Sequence, residues 1–191
     1  FSFVMSWVYR DREVKQRLEA DAREMVAAFE ETIDRNDQNL AALAAFFEAS
    51  SEVDRDEFGR FARPLFRSLG TTRALGWAPR VPEGEREAFE SAQRAGGLPS
   101  FTIFNIGAGG RPVPAAPAAE YFPALYVEPP APGRALGFDE ASESRRLGAL
   151  LRARDSGETT LSPLLGSARP EREEHDAFLV RAVYRHDARA S

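Results

Sequence analysis

The spacing of apolar residues organises the N-terminal quarter of this chain. From about Val4 to Ala49 there is neither proline nor glycine. Val14, Leu18, Ala22, Met25, Val26, Phe29, Ile33, Leu40, Leu43 and Phe47 recur mostly at steps of three or four, the period of a helix face. The positions between are rich in Glu, Arg, Ala and Gln, all good helix formers. One uninterrupted helix here would be about 69 Å long, at about 1.5 Å per residue. Globular helices average about 11–12 residues. A long helix with one narrow apolar stripe calls for a partner helix, for a body against which the stripe packs, or for both along different halves. Asn36 interrupts the stripe between Ile33 and Leu40, where a polar residue can fix the register of a helix pair.

Beyond Ser50 and Ser51 the pattern changes to short elements. Asp54 with Glu57 three residues on reads as a capping box. Phe58, Phe61, Leu65, Phe66 and Leu69 follow at helical spacing to about Gly70, despite Pro64. Strands are expected at Ala74–Val81, Phe101–Ile106, Glu120–Glu128, Thr159–Leu165 and Ala177–Tyr184. Helices are expected from Glu83 to about Arg94 and from Ser142 to about Asp155, ended by Gly96 and Gly157. Pro123 marks an edge or bulge in its strand. Gly107–Pro117 reads as an aperiodic loop, Pro129–Gly133 as a turn, and Arg169–Asp176 as a solvated loop. Short helices alternating with antiparallel-type strands after one long helix make an α+β pattern.

Composition narrows the function classes. The 191 residues carry a net charge of -5, which excludes the broad basic surface of a nucleic-acid binder. There is no cysteine, so disulfides and thiolate chemistry are out. Two histidines, His175 and His186, make a compact metal centre unlooked-for, and no metal or cofactor is expected. Phe1–Tyr9 (FSFVMSWVY) is almost wholly apolar and precedes Arg10, Asp11 and Arg12. Nine residues do not span a bilayer, which takes about 20. They read either as the last turns of a spanning helix, with Trp7 and Tyr9 at the interface, or as a helix start packed on its own domain. No Walker loop, nucleophile elbow or paired-histidine motif occurs. Gly107–Gly110 has the glycine content of a phosphate loop without the following helix, and Glu173/Glu174 sit in a charged run. An enzyme is not expected.

The ordered blocks GWAPRV, EREAFE, EYFPALYVEP, GFDEASESRR, LLRARDSGETTLSP and FLVRAVYR resemble the CHASE domain family, extracellular sensory domains of histidine kinases and nucleotide cyclases. The resemblance runs from about Leu40 to Arg185. It implies an α+β fold: a long N-terminal stalk helix followed by tandem PAS-like subdomains with antiparallel sheets. The corresponding division is 1–49 for the end of a membrane helix and the stalk, 50–166 for a membrane-distal ligand-binding subdomain, and 167–191 for the start of a membrane-proximal one. It further implies a homodimer through the stalk, anchoring in the cell inner membrane with this domain periplasmic or extracellular, and a second membrane helix after Ser191. The expected partner is a small molecule of unknown identity. In the plant cytokinin receptors of the family an aspartate before the Glu-Tyr pair reads the adenine ring; here Ala119 stands there, so adenine-type cytokinin recognition does not carry over.

The candidate ligand site is aromatic and strand-borne: Phe104, Tyr121, Leu125, Tyr126, Leu136 and Phe138. Strand alternation separates Tyr121/Pro123/Leu125 from Phe122/Ala124/Tyr126, and analogy with the family favours the first set as the pocket face. Asp139 is either a capping residue or the polar contact missing at Ala119. Thr160 and Ser162 lie on a strand that passes the pocket in the family. Arg145 and Arg146 pair with Asp139 or Glu143, or hold an anionic ligand. Arg80 and Glu85/Arg86 read as an ion pair that orders a helix start, and Trp77 as core. Ordinary core packing accounts for each of these apolar residues equally well. The functions that compete with a ligand sensor are a structural dimerisation module without a ligand and, further off, a periplasmic hydrolase.

Overall fold

The computed structural model describes the backbone of residues 2–69, 72–130, 136–163, 165–166, 175–176 and 178–184, and the side chains of 23–69, 72–130, 136–163 and 178–184. The side chains of Trp7 and Tyr9, and Gly70, the end of the expected Pro129–Gly133 turn and most of Arg169–Asp176, lie outside what is described. The fold class is α+β, a long helix followed by short helices and small antiparallel sheets, as the hydrophobic pattern predicts. Among the described residues no helix is long and apolar enough to cross a membrane.

Helix α1 spans Ser2–Ala49, 48 residues. The chain divides into two compact units, 1–38 and 39–191. In the first, the stripe residues Met25, Val26 and Phe29 are 74%, 56% and 54% exposed. Arg35 pairs with Glu31 at 2.5 Å, and the Asn36 amide donates to the Thr32 carbonyl one turn back at 2.8 Å.

In the second unit, the last turns of α1 bury Leu43, Ala44 and Phe47. Helix α2, Arg55–Arg67, begins at the expected capping box. The Glu57 N–H donates to Asp54 Oδ1 at 2.8 Å, and the Asp54 N–H donates back to Glu57 Oε2 at 3.2 Å. The helix passes through Pro64 and closes at Ser68, short of the expected end near Gly70. Its inner face joins Leu43, Phe47, Val53, Phe58, Ala62, Leu69 and Leu75 in one core. Phe47 stacks on Trp77 with centroids 3.9 Å apart. Each large side chain buried this way contributes about 1.5–3 kcal/mol.

The strands are shorter and more broken than the sequence pattern predicts. The expected Ala74–Val81 strand is two, β1 Leu75–Trp77 and β2 Val81–Pro82, separated around Pro79, which has no N–H to give a ladder. Helix α3, Arg86–Ala95, follows a 3-10 turn at Glu83–Glu85. Strand β3 is Phe104–Ile106. The stretch expected as a loop, Gly107–Pro117, contains β4, Pro112–Pro114, antiparallel to β3; its prolines are tolerated because it is an edge. The expected Glu120–Glu128 strand is β5 Glu120–Tyr121 and β6 Tyr126–Glu128.

Three two-stranded ladders join into one surface. β5 pairs with β2 and β6 with β1. The stretch between β5 and β6 turns its other edge to 137–140: Pro123 bridges Asp139, and the Ala124 N–H donates to the Phe138 carbonyl at 2.9 Å. Phe138 bridges Phe104 in parallel, which continues the surface to β3 and β4. Gly137 is required at this seam. Its φ is +96°, and a Cβ there would lie 2.1 Å from the Thr102 carbonyl oxygen, a conformation and a contact that only glycine accepts.

Helix α4, Ser144–Ser156, follows a 3-10 turn at Glu140–Ser142 and ends at left-handed Gly157, close to the expected Ser142 and Asp155. It buries Ala149 and Ala153. The last elements are β7 Thr160–Leu161, paired with β10 Leu179–Val180, and β8 Leu165–Gly166, paired with β9 His175–Asp176. β9 lies in the run expected as a solvated loop.

Candidate functional site

Helix α3 covers one side of the joined sheet, where Val81, Phe101, Ile103, Ala115, Tyr121 and Leu125 form a second core. Tyr121 is its centre, with no exposed surface. The Arg86 guanidinium lies 4.9 Å from the Tyr121 ring centroid. The phenol donates to the Glu83 carboxylate and accepts from the Ala118 N–H at 3.0 Å and from Arg86 Nη1 at 3.2 Å. A buried hydroxyl with this many partners is fully satisfied.

Arg86 spends its remaining donors on structure. Nε reaches Glu90 at 3.1 Å, Nη1 the Ala115 carbonyl at 3.0 Å and Nη2 the Ile103 carbonyl at 3.2 Å. Glu90 in turn accepts from the Ile103 N–H at 3.0 Å and from Arg94 at 3.4 Å. Burial pushes the Glu90 carboxyl up, but the Ile103 N–H and the Arg86 and Arg94 guanidiniums outweigh it and hold the group below its ordinary value. The expected ion pair of Arg80 with Glu85/Arg86 is corrected: Arg80 meets Glu120 at 2.5 Å, and Arg86 meets Glu90. A helix places residues i and i+4 on one face, so Glu90 is the nearer acid for Arg86.

Phe104 and Phe138 stand side by side with centroids 5.8 Å apart. Arg146 of α4 lies 5.5 Å from the Phe138 centroid and 5.2 Å from that of Phe178; its guanidinium pairs with Glu140, and its backbone N–H donates to Glu143 Oε2 at 2.9 Å. Burial pushes the Glu140 carboxyl up, only partly countered by Arg146. Asp139, 4% exposed, caps the 3-10 turn by accepting the Ala141 N–H at 3.2 Å, and also accepts the Phe122 N–H at 2.9 Å. Pro123 is fully buried beside it. Ser162 Oγ accepts the Phe178 N–H at 3.1 Å, and Thr160 pairs with Val180.

Phe104, Tyr121, Pro123, Leu125, Phe138 and Asp139 thus occupy adjacent rungs of one surface, while Thr160 and Ser162 belong to the ladder with the 178–180 segment. The expected strict alternation of 121–126 does not hold. Ala124 is buried together with Pro123 and Leu125, because the segment leaves the ladder with β2 to bridge 137–140.

Two cavities flank the far end of this strand. One, about 440 Å³, is bordered by Phe47, Trp77, Phe89, Leu125, Tyr126 and Val183. The other, about 380 Å³, lies between α2 and β6 and is bordered by Arg55, Arg60, Arg63, Tyr126, Glu128 and Leu136, among others. Tyr126 walls both. Of the remaining expected lining residues, Leu125 borders the first and Leu136 the second; Phe104, Tyr121, Pro123, Phe138 and Asp139 border neither of these two. The arginines of α2 were not among the residues singled out from sequence. The signal for them was Gly59, a poor helix former, set mid-helix among Arg55, Arg60 and Arg63. Among the described residues no group of three or more His, Asp or Glu gathers to hold a metal.

A family model described as CHASE domain matches residues 51–191. The chain is also 27% identical over 184 residues to the hybrid signal transduction histidine kinase A of Dictyostelium discoideum, a similarity that covers 93% of this chain and 8% of that protein. The chain therefore spans less than a tenth of the length of that relative. CHASE domains are extracellular sensory domains of membrane receptors and are not themselves catalytic. With most of its length matched, and with an α+β body beneath the match, this chain belongs to the CHASE domain family and is a sensory domain of signal transduction.

Proposed function

We propose that this chain is the periplasmic or extracellular ligand-sensing domain of a transmembrane receptor of the histidine kinase or diguanylate cyclase type. Residues 50–166 are the membrane-distal, PAS-like part that takes up a small molecule, 1–49 end a membrane helix and supply the stalk, and 167–191 begin a membrane-proximal PAS-like part. The ligand sits against the strand 120–128, with Phe104, Tyr121, Pro123, Leu125, Leu136, Phe138 and Asp139 as its surroundings and Thr160 and Ser162 on the ladder beyond. Chemistry belongs to a cytoplasmic output domain outside this segment. Ala119 offers only its backbone: its carbonyl accepts the Glu83 N–H at 3.1 Å. The ligand is therefore not an adenine-type cytokinin held in the plant manner.

The observation that carries this reading is the strand itself. Its far end, at Leu125 and Tyr126, walls a cavity of about 440 Å³, within the about 300–1,000 Å³ typical of small-molecule sites. Its near end is locked through Tyr121 to α3. A ligand that binds one arrangement of this strand better than another shifts the population of the two, and only by that difference in affinity.

A second reading, a dimerisation module without a ligand, is favoured by the complete burial of Tyr121 and the saturation of its hydroxyl. Thermal-shift and calorimetric titration of the domain with a metabolite panel separates the two. The sensor reading expects at least one compound to raise Tm saturably, with the shift lost in Tyr121→Ala and Leu125→Trp. A panel in which nothing shifts Tm, or shifts that survive both substitutions, favours the dimerisation module.

A further inference from the structure

We propose that the groove between α2 and β6 is a second binding site, for a small organic oxyanion with an apolar body. It lies on the α2 side of the strand, shares Leu136 with the surroundings proposed for the sensed ligand, and takes none of the buried residues around Tyr121.

The charges of the groove point to the ligand class. Three arginines, Arg55, Arg60 and Arg63, face two acids, Asp56 and Glu128, so the lining is net positive on a chain of net charge -5. Arg63 Nε is engaged by Glu128 at 3.2 Å, and Glu128 is 4% exposed. Among the described residues, Arg55 and Arg60 have no acidic partner. Arg55 is also the first residue of α2, the end of a helix where a cation is opposed by the backbone dipole. Its charge therefore does nothing for the helix that bears it.

The geometry supplies the rest. The Arg55 guanidinium lies 5.6 Å from the Tyr126 ring centroid, an arrangement that holds a planar cation in place without using its N–H donors. Those donors suit a carboxylate or a phosphate, which guanidinium binds in a two-pronged way. Phe58, Tyr126 and Leu136 supply apolar walls. Gly59 forms part of the floor. A Cβ there would sit 3.6 Å from Arg63 Nη2 and 3.8 Å from Glu128 Oε2, so the missing side chain leaves the Arg63–Glu128 pair facing the cavity. Glu128 repels a second anion from the inner end. The oxyanion belongs at Arg55 and Arg60, and the apolar body belongs against Tyr126 and Leu136.

The test is calorimetric titration of the whole chain with benzoate and with phenyl phosphate, which separates carboxylate from phosphate. Benzyl alcohol serves as the uncharged analogue and inorganic phosphate as the bare anion. Saturable binding of at least one aromatic anion is expected, weakened by salt. It should fall at least tenfold in the Arg55→Gln/Arg60→Gln double variant. A similar loss is expected in Gly59→Leu, which favours the helix and fills the floor, with an unchanged circular dichroism spectrum as the check on folding. Binding that is undiminished in the double variant overturns the site. Benzyl alcohol or inorganic phosphate binding as tightly as the aromatic anions overturns the ligand class. The absence of saturable heat from both anions, with the fold intact, overturns both. A metabolite whose Tm shift survives Tyr121→Ala and Leu125→Trp but is lost in the Arg55→Gln/Arg60→Gln variant is assigned to this groove and left out of the sensor test, so the two proposals fail separately.

Discussion

Glu90 ties α3 to the segment before β3 through one carboxylate, which accepts the Ile103 N–H and two guanidiniums. Its folded-state pKa is depressed, so the stabilisation it brings is complete above the unfolded value of about 4.3 and is lost as pH falls through the folded value. Urea denaturation of the native chain and of Glu90→Gln between pH 7 and pH 3 should show a gap of about 1.5–3 kcal/mol at neutral pH, as for hydrogen bonds to charged groups. The gap should close on the acid side; a constant gap would mean that Glu90 acts through packing alone. Residue-level detail of this kind was only half legible in the sequence. Asp139 was readable as a cap because an acid before a short helix has few other uses. The partner of Arg86 was not, because Glu85, Glu87 and Glu90 are all near in sequence and only the helix period chooses among them.

At the scale of elements, helices were legible and strands were not. The capping box at Asp54 is local chemistry, written in four consecutive positions, and the structure reproduces it. Asp54→Ala should destabilise the domain by about 1 kcal/mol, read as a lowered urea midpoint at unchanged slope, while Asp54→Asn retains most of the cap. Strand limits depend on distant partners. β4 was hidden because Pro112 and Pro114 read as breakers, and only its edge position next to β3 makes them acceptable. The 120–128 stretch was expected as one strand, yet it changes partner midway, from β2 to 137–140 and then to β1. Periodicity within the segment carries no record of that exchange.

For the molecule as a whole, the long helix followed by an α+β body was legible from the absence of breakers before Ser50 and the alternation after it. What covers the stripe on the first unit is a matter for experiment. Met25, Val26 and Phe29 are exposed on one helix face, and a second copy of the same helix would bury them by coiled-coil packing. Sedimentation equilibrium should find the native chain dimeric and a Val26→Glu/Phe29→Glu variant monomeric at the same concentration. A native chain that stays monomeric throughout would remove the stalk from the proposed signalling path. The candidate site was legible only in outline. Aromatic strand residues were recognisable as a group, but the arginine groove depends on α2 lying beside β6, which no local pattern announces.

Arg146 has a consequence for how disturbance travels. One guanidinium is flanked by a ring from the sheet, Phe138, and a ring from the closing segment, Phe178, and the backbone next to that second ring is tethered to Ser162. The cation works as a rivet through two plates. Loosening either plate leaves the other resting on a charge that is less well held, so the two are obliged to tighten and slacken together.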